Sequence, residues 1–309
     1  MIRNLGYCCI NTSLKEYSPN RTVAKETFEK FGQEIIVDKV YQNLFATKRI
    51  LEWNLAHNIF LYRVSSEIFP WMSQYEISEL QDFENVILPL LEDIGNFVKR
   101  HKIRLTFHPG PYNVLGSDNP LVVEKTIKEL NQHREILNWM GLEASLSYPI
   151  NIHLSTTKGG KDLAIYRFLK GFERLNSETQ KSLTIENDDS INGYSIEELF
   201  SVHKEVGVAL CFDFFHYDCG AKGNLSKEES FEMACNSWGE EIPITHFSSS
   251  RRIYEDFLCK SNAHADFLHE KIPDFILSQV FDVEIEAKGK ERALLNYRKV
   301  NATTESYYN

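Results

Sequence analysis

The sequence predicts an α/β fold, a single (β/α)₈ TIM barrel. Three observations carry that prediction. The chain has 309 residues, long for one ordinary domain but typical of one closed barrel. Eight short apolar runs alternate with segments of helical spacing, the pattern of a parallel sheet buried on both faces. No stretch rich in Pro, Gly or Ser divides the chain. A doubly wound open sheet shares the alternation and is the competing architecture. The barrel is expected over residues 1–300, with residues 301–309 a disordered tail.

The elements follow in order. Residues 2–8 read as a first strand and 9–32 as a polar loop. Residues 38–57 place Val40, Leu44, Thr47, Leu51 and Leu55 on one helical face. A strand over 59–64 runs into Ser65-Ser66-Glu67, and a helix is expected over 80–100. The strand at 104–107 stops at the turn signal His108-Pro109-Gly110. A helix over 120–140, a strand over 149–153 and a helix over 162–175 come next. The strand from Leu183 enters Glu186-Asn187-Asp188-Asp189, and a helix over 195–206 follows. A strand over 208–212 ends at Asp213, with His216 three residues on, before a helix over 228–238. A strand over 242–246 leads into Ser248-Ser249-Ser250-Arg251-Arg252. Helices are expected over 264–271 and 274–278. The last strand, 282–285, ends at Glu286-Ala287-Lys288, and a helix over 291–299 closes the chain.

Composition narrows the function. With 42% hydrophobic residues the chain can bury a large core. The formal charge of -10 repels nucleic acid, so a DNA partner would need a local basic surface and bound cations. Carboxylates that ligate a cation count in that total without being free negative charge. Cys8, Cys9, Cys211, Cys219, Cys235 and Cys259 show no C-x-x-C spacing, which argues against a thiolate zinc site. The start Met1-Ile2-Arg3-Asn4 has no apolar signal core, and no apolar run approaches the roughly 20 residues of a membrane span. A soluble, cytoplasmic, monomeric protein with free thiols is expected.

The chemistry lies at the strand ends, where a barrel of this type places its active site. Those ends carry Tyr7, Glu67, His108, His153, Glu186, Asp213 with His216, His246 and Glu286, and His264 follows the seventh strand. Alone, Asn187-Asp188-Asp189 reads as a turn and a helix cap. The recurrence of carboxylate and imidazole at nearly every strand end points instead to metal. Such nitrogen and oxygen donors suit Zn²⁺, Mn²⁺ or Fe²⁺ better than Ca²⁺ or Mg²⁺. They are too many for one ion and enough for a cluster of two or three, an arrangement that hydrolyses phosphate esters. His57, His101, His133, His203 and His269 fall in or beside helical segments and read as packing or surface residues. Lys158, Lys161, Arg251, Arg252, Lys288 and Lys290 lie on the loops that would follow the strands and could meet a phosphate backbone. A two-metal sugar isomerase on the same barrel is the alternative from another class. A barrel that binds DNA without cutting it would lack a ligand, and none is missing.

Leu5-Gly6-Tyr7, Tyr62-Arg63-Val64-Ser65-Ser66, His108-Pro109-Gly110, Ile152-His153-Leu154, Glu186-Asn187-Asp188-Asp189, Asp213-x-x-His216, His246-x-Ser248, Ala263-His264 and Glu286-Ala287-Lys288-Gly289-Lys290-Glu291 occur in this order. Together they resemble the UV damage endonuclease family, related to endonuclease IV. The resemblance spans nearly the whole chain, and the runs at Glu186 and Glu286 are its most specific parts. It implies a (β/α)₈ barrel with a divalent metal cluster, commonly manganese with zinc as the other candidate. It further implies incision of duplex DNA immediately 5′ of UV photoproducts, leaving a 3′-hydroxyl and a 5′-phosphate.

Position by position, the resemblance implies metal ligation by His108, His153, Glu186, Asp213, His216, His246, His264 and Glu286, with Glu186 bridging two ions. Glu186, Glu286, His246 and Lys288 are the expected catalytic residues. Tyr7, Asn11, Pro111, Tyr112, Lys158, Arg251 and Lys290 are expected to meet DNA. Two positions depart from the family. Pro111 stands where a glutamine is usual, so lesions would be read by distortion, with Tyr112 as a wedge. Ile244 stands where some members carry a lysine that can be carboxylated.

Overall fold

Apolar runs too short for helices pair edge to edge and close on themselves. In the computed structural model, which describes residues 1–273, 275 and 279–305, eight parallel strands follow one another in sequence order around a closed barrel. They are β1 (Ile2–Cys8), β2 (Leu61–Val64), β3 (Arg104–Phe107), β4 (Ile150–Ile152), β5 (Leu183–Glu186), β6 (Ala209–Asp213), β7 (Ile244–Phe247) and β8 (Phe281–Ile285). The ring closes where β8 pairs with β1, Tyr7 opposite Ile285. The helices are α1 (Lys25–Phe31), α2 (Val37–Ala56), α3 (Leu88–His101), α4 (Pro120–Trp139), α5 (Lys161–Phe172), α6 (Ser177–Ser182), α7 (Ile196–Val206), α8 (Phe214–Cys219), α9 (Lys227–Asn236), α10 (Arg251–Tyr254) and α11 (Glu291–Glu305).

The outer faces of the strands and the inner faces of the helices make the apolar core, with Leu105, Phe107, Ile150, Ile152, Ile185, Leu210, Phe212, Val283 and Ile285 all buried. Helix starts follow local chemistry. Ser195 with Glu198, and Ser226 with Glu229, form reciprocal capping boxes at α7 and α9. Asn119 caps α4 ahead of Pro120, whose missing N–H costs nothing there. Gly207 ends α7 at φ 71°, a left-handed turn that delivers the chain into β6.

The barrel interior is mostly polar. A small apolar plug of Leu61, Ala209, Trp238 and Ile244 fills its middle. Level with it, Arg104 bonds Asp282 at 3.0 Å and donates to the carbonyls of Leu146, Ser147 and Ile242. Above it lies the candidate site.

Three expectations change, and a fourth falls largely outside the described residues. The helix expected over 80–100 starts only at Phe83, with Asp82 left-handed before it, and opens with a π-helical turn at Phe83–Ile87, because Pro89 cannot donate to the carbonyl a turn earlier. The helix expected over 264–271 does not form. Glu255 accepts from Asp266 N and Phe267 N, and Ser249 Oγ accepts from His269 N, so these N–H groups are spent on the loop rather than on a helical ladder. The helix expected over 274–278 falls largely outside the described residues. Residues 301–305, expected to be disordered, continue α11 as far as Glu305, and residues 306–309 lie outside the described residues. Helix α1 lies within the expected loop; it buries no residue, so it shows no apolar stripe to read.

Candidate metal centre

The site is built from strand ends, each followed by a turn that frees a side chain toward the barrel axis. His108 and His153 come directly after β3 and β4, Glu186 and Asp213 end β5 and β6, His246 lies within β7, and Glu286 follows β8. Asp213 is also the N-cap of α8. Its Oδ1 accepts from His216 N at 2.7 Å, so capping the helix is what carries His216 to the centre.

Glu186 is the hub. It is fully buried, and its Oε2 lies 3.0 Å from His108 Nε2, 3.1 Å from His246 Nδ1 and 3.7 Å from His153 Nε2. Its Oε1 lies 3.0 Å from His216 Nδ1. Asn151 Nδ2 donates to Oε2 from below, and Thr184 Oγ1 holds Asn151 in place at 2.7 Å. Three sets of candidate ligands all include it: His108, Glu186 and His246; His153, Glu186 and His216; and Glu186, Asp213, His246 and Glu286. Within each set the donor atoms lie within 4.8 Å of one another.

These residues fit a cluster of cations. Glu186 Oε1, Asp213 Oδ2, His153 Nδ1 and His246 Nδ1 are buried without a hydrogen-bond partner of good geometry. Leaving such groups uncompensated is costly, and cations would satisfy them. Neighbouring groups aim the rings. His216 Nδ1 lies 3.0 Å from the Asn187 carbonyl and His264 Nδ1 2.7 Å from the Glu286 carbonyl, which leaves Nε2 of each as the lone-pair donor. His246 Nε2 faces Glu284 Oε2 at 3.3 Å and Arg63 Nη2 at 2.7 Å.

The titration behaviour shows how much positive charge the centre draws in. Burial pushes the Glu186 carboxyl up, but His246, His153, His108 and His216 outweigh it and hold the group well below the ordinary carboxylate value. Burial lowers His216, yet Asp213 and Glu186 carry it up to about 10. His108 moves down, chiefly through burial. Glu284, raised by burial but paired with Arg63, falls to about 2.

The structure corrects several expected positions. Tyr7 and Asn11, expected at DNA, are buried and bonded to each other at 2.8 Å. Tyr7 also bonds Asn54 at 2.7 Å, and Asn11 Oδ1 accepts from Ser13 N and Leu14 N, so both shape the loop after β1 rather than face solvent. Glu67 turns away from the centre into a separate cleft of about 630 Å³ shared with Glu129 and Tyr112. His264 lies beside the cluster, its ring 6.0 Å from that of His216, but it belongs to none of the three close ligand sets. Lys158 is paired with Asp118 at 2.6 Å, and Arg251 with Asp266 at 3.3 Å. Pro111 lines the main cleft of about 610 Å³ above the cluster, and Tyr112 beside it is 57% exposed. Lys288 and Lys290 stand on the turn from β8 to α11, where Lys288 N donates to the Ala265 carbonyl and Lys290 holds φ 54°. Ile244 lies below His246 and offers no ligand.

Reading only the strand ends missed the layer beneath. Arg63 bonds Glu284 and, at 2.6 Å, Glu286, and Thr106 donates to Glu284. Thr106, Asn151, Thr184 and Glu284 each stand two residues before His108, His153, Glu186 and Glu286. Strand alternation puts such residues on the same inward face, and that signal was present in the sequence. His153 Nδ1 lies 3.0 Å from Asp188 Oδ1, a contact between loops that no periodicity marks.

Known proteins resemble this chain along nearly its whole length. A family model described as UV-endonuclease UvdE matches residues 3–306. A UV DNA damage endonuclease from Bacillus mycoides (strain KBAB4) is 33% identical, covering 96% of this chain and 93% of its own length. The solved structure of SacUVDE superimposes with a TM-score of 0.83 at 28% identity, covering 98% of this chain and 99% of that one. Endonuclease IV from Thermus thermophilus, at 14% identity and a TM-score of 0.56, covers 98% and 100% and shares the barrel fold.

Proposed function

Because the chain belongs to the UV-endonuclease UvdE family, we propose that this DNA repair endonuclease hydrolyses the phosphodiester immediately 5′ of a UV photoproduct, leaving a 3′-hydroxyl and a 5′-phosphate. The observation that supports a metal-dependent reading is Glu186, fully buried and shared by three candidate ligand sets. Two or three divalent ions would be held by His108, His153, Glu186, Asp213, His216, His246 and Glu286, with Nε2 of His264 beside them. Manganese is the proposed metal, and the donor set equally suits zinc. Bound ions would supply Lewis acidity toward the phosphate and a nucleophile at neutral pH.

The protein's part is placement. Asn151 and the imidazoles orient Glu186 so that both its oxygens serve the centre. Arg63 holds Glu286 in position and offsets part of the centre's negative charge. Lys288 and Lys290, one turn beyond Glu286, would meet the phosphates beside the scissile bond, and Lys158 and Arg251 those farther out. The lesion is read by shape. A damaged step costs less to unstack than an intact one, and Tyr112, set between Pro111 and α4, can fill the gap. Pro111 contributes rigidity without a hydrogen-bonding side chain, which favours a broad lesion range including abasic sites.

The test is incision of an end-labelled duplex carrying one photoproduct, in Mn²⁺, with undamaged and abasic duplexes alongside. We expect one cut immediately 5′ of the lesion with a 3′ end that a polymerase extends, a cut at the abasic site, and an intact undamaged strand. Intact photoproduct duplex at every cation concentration would refute the reading.

A further inference from the structure

The loop after β7 carries an apolar apex that neither the core nor the metal centre uses. Ile253, Phe257 and Leu258 are 74%, 77% and 80% exposed. The loop is nonetheless tightly built. Ser250 bridges His264 across its base, and Arg251 N donates to Ala263 O at 2.8 Å. Within it, Asp256 N returns to Arg251 O and Cys259 N to Asp256 O. Glu255 accepts from Asp266 N and Phe267 N and lies 3.0 Å from His269 Nε2. The base is tied to the metal centre, since His264 Nδ1 lies 2.7 Å from the Glu286 carbonyl. Folding therefore already orders Phe257 and Leu258, and large apolar side chains held out in water mark a contact surface.

Charge and position select the occupant. Beside the apex the two acidic groups are held within the loop, Glu255 as above and Asp256 by Leu258 N and Cys259 Sγ, while Asp266, paired with Arg251, and Glu270 lie farther along it. Arg252 and Lys260 are exposed beside the apex, so the outward charge is basic and complements phosphate. In the closed order of eight strands, β3 and β7 stand opposite each other. The β3 loop, which carries Tyr112, and the β7 loop, which carries Phe257, therefore follow strands on opposite sides of the barrel. A duplex laid across the cleft would meet both.

Resting on the reading that the substrate is damaged duplex DNA, we propose that Phe257 and Leu258 form a second apolar wedge, which enters a base step flanking the lesion on the side opposite Tyr112. Apolar side chains inserted in this way partly unstack the step and kink the duplex, which would bring the scissile strand toward the cluster.

The experiment uses the Mn²⁺-loaded protein, a Phe257→Ser/Leu258→Ser variant and a conservative Phe257→Leu variant. The probe is a duplex with one photoproduct and 2-aminopurine at each flanking step in turn. Wild type is expected to raise fluorescence at one flanking step. The double variant is expected to lose that rise and to bind damaged duplex about tenfold more weakly. It should keep the wild-type metal content, and Phe257→Leu should restore most of the signal. Equal fluorescence and affinity for wild type and double variant, with both still cutting, would overturn the wedge and leave the endonuclease reading standing. A wild type that neither binds nor cuts damaged duplex would overturn both. If sedimentation shows wild type self-associating and the double variant not, with the DNA signal unchanged, the apex is a contact between copies and the wedge is wrong.

Discussion

Arg63 shows what a single buried cation does here. Its guanidinium pairs with Glu284 at 2.5 Å and Glu286 at 2.6 Å, while Glu186 and Asp213 nearby have no arginine or lysine partner among the described contacts. Replacing Arg63 by Met keeps volume but leaves two buried carboxylates uncompensated. Denaturant unfolding of chelator-treated protein should show a loss of about 3–5 kcal/mol. A loss below about 1 kcal/mol, the range of an exposed pair, would show that the carboxylates are not held by this charge. At this scale the residues that gather at the centre were legible, because imidazole and carboxylate recur at strand ends. Arg63 was not, because an arginine inside a strand carries no mark of its face until the pairing register is known. Tyr7 and Asn11 were misplaced for a related reason: Tyr7 faces α2, where it bonds Asn54, and Asn11 is buried against it.

At the scale of elements, the strands were legible almost to their ends, since short apolar runs bounded by polar residues leave few alternatives. The loop after β7 was not, because side chains rather than backbone carbonyls take up its N–H groups. Helix α4 gives a pH test of how rigidly an element is packed. His133 is buried against Phe107, its ring 4.9 Å away, with Nδ1 2.8 Å from the Glu129 carbonyl and Nε2 unpartnered. Burial pushes it down to about 4, against roughly 6.5 for an unfolded histidine. Between those values the unfolded chain binds the proton and the folded chain does not. This contribution to stability is therefore complete above about pH 6.5 and falls as pH drops toward 4. Between pH 7 and 4.5 the wild type should lose about 2–3 kcal/mol more than a His133→Leu variant. Parallel stability curves would show that the helix opens to let the imidazole charge.

For the whole molecule, the charge of -10 and the proposed DNA substrate are reconciled by where the charge sits. Several carboxylates are gathered at the barrel axis, where cations would neutralise them, and Lys158 and Arg251 at the mouth are themselves paired with acids. The barrel was legible from alternation and length. The polar interior was marked by the residues two before the strand-end His and Glu positions, but reading only the strand ends passed over it. The central claim is that Glu186 joins the bound cations into one catalytic cluster. Its most direct test is the divalent-metal content of wild type and a Glu186→Gln variant by elemental analysis, beside their incision of photoproduct duplex. The account predicts two or three ions per wild-type chain, fewer in the variant, and incision reduced by at least about a thousandfold with the fold intact. A Glu186→Gln variant with undiminished metal and full incision would contradict it.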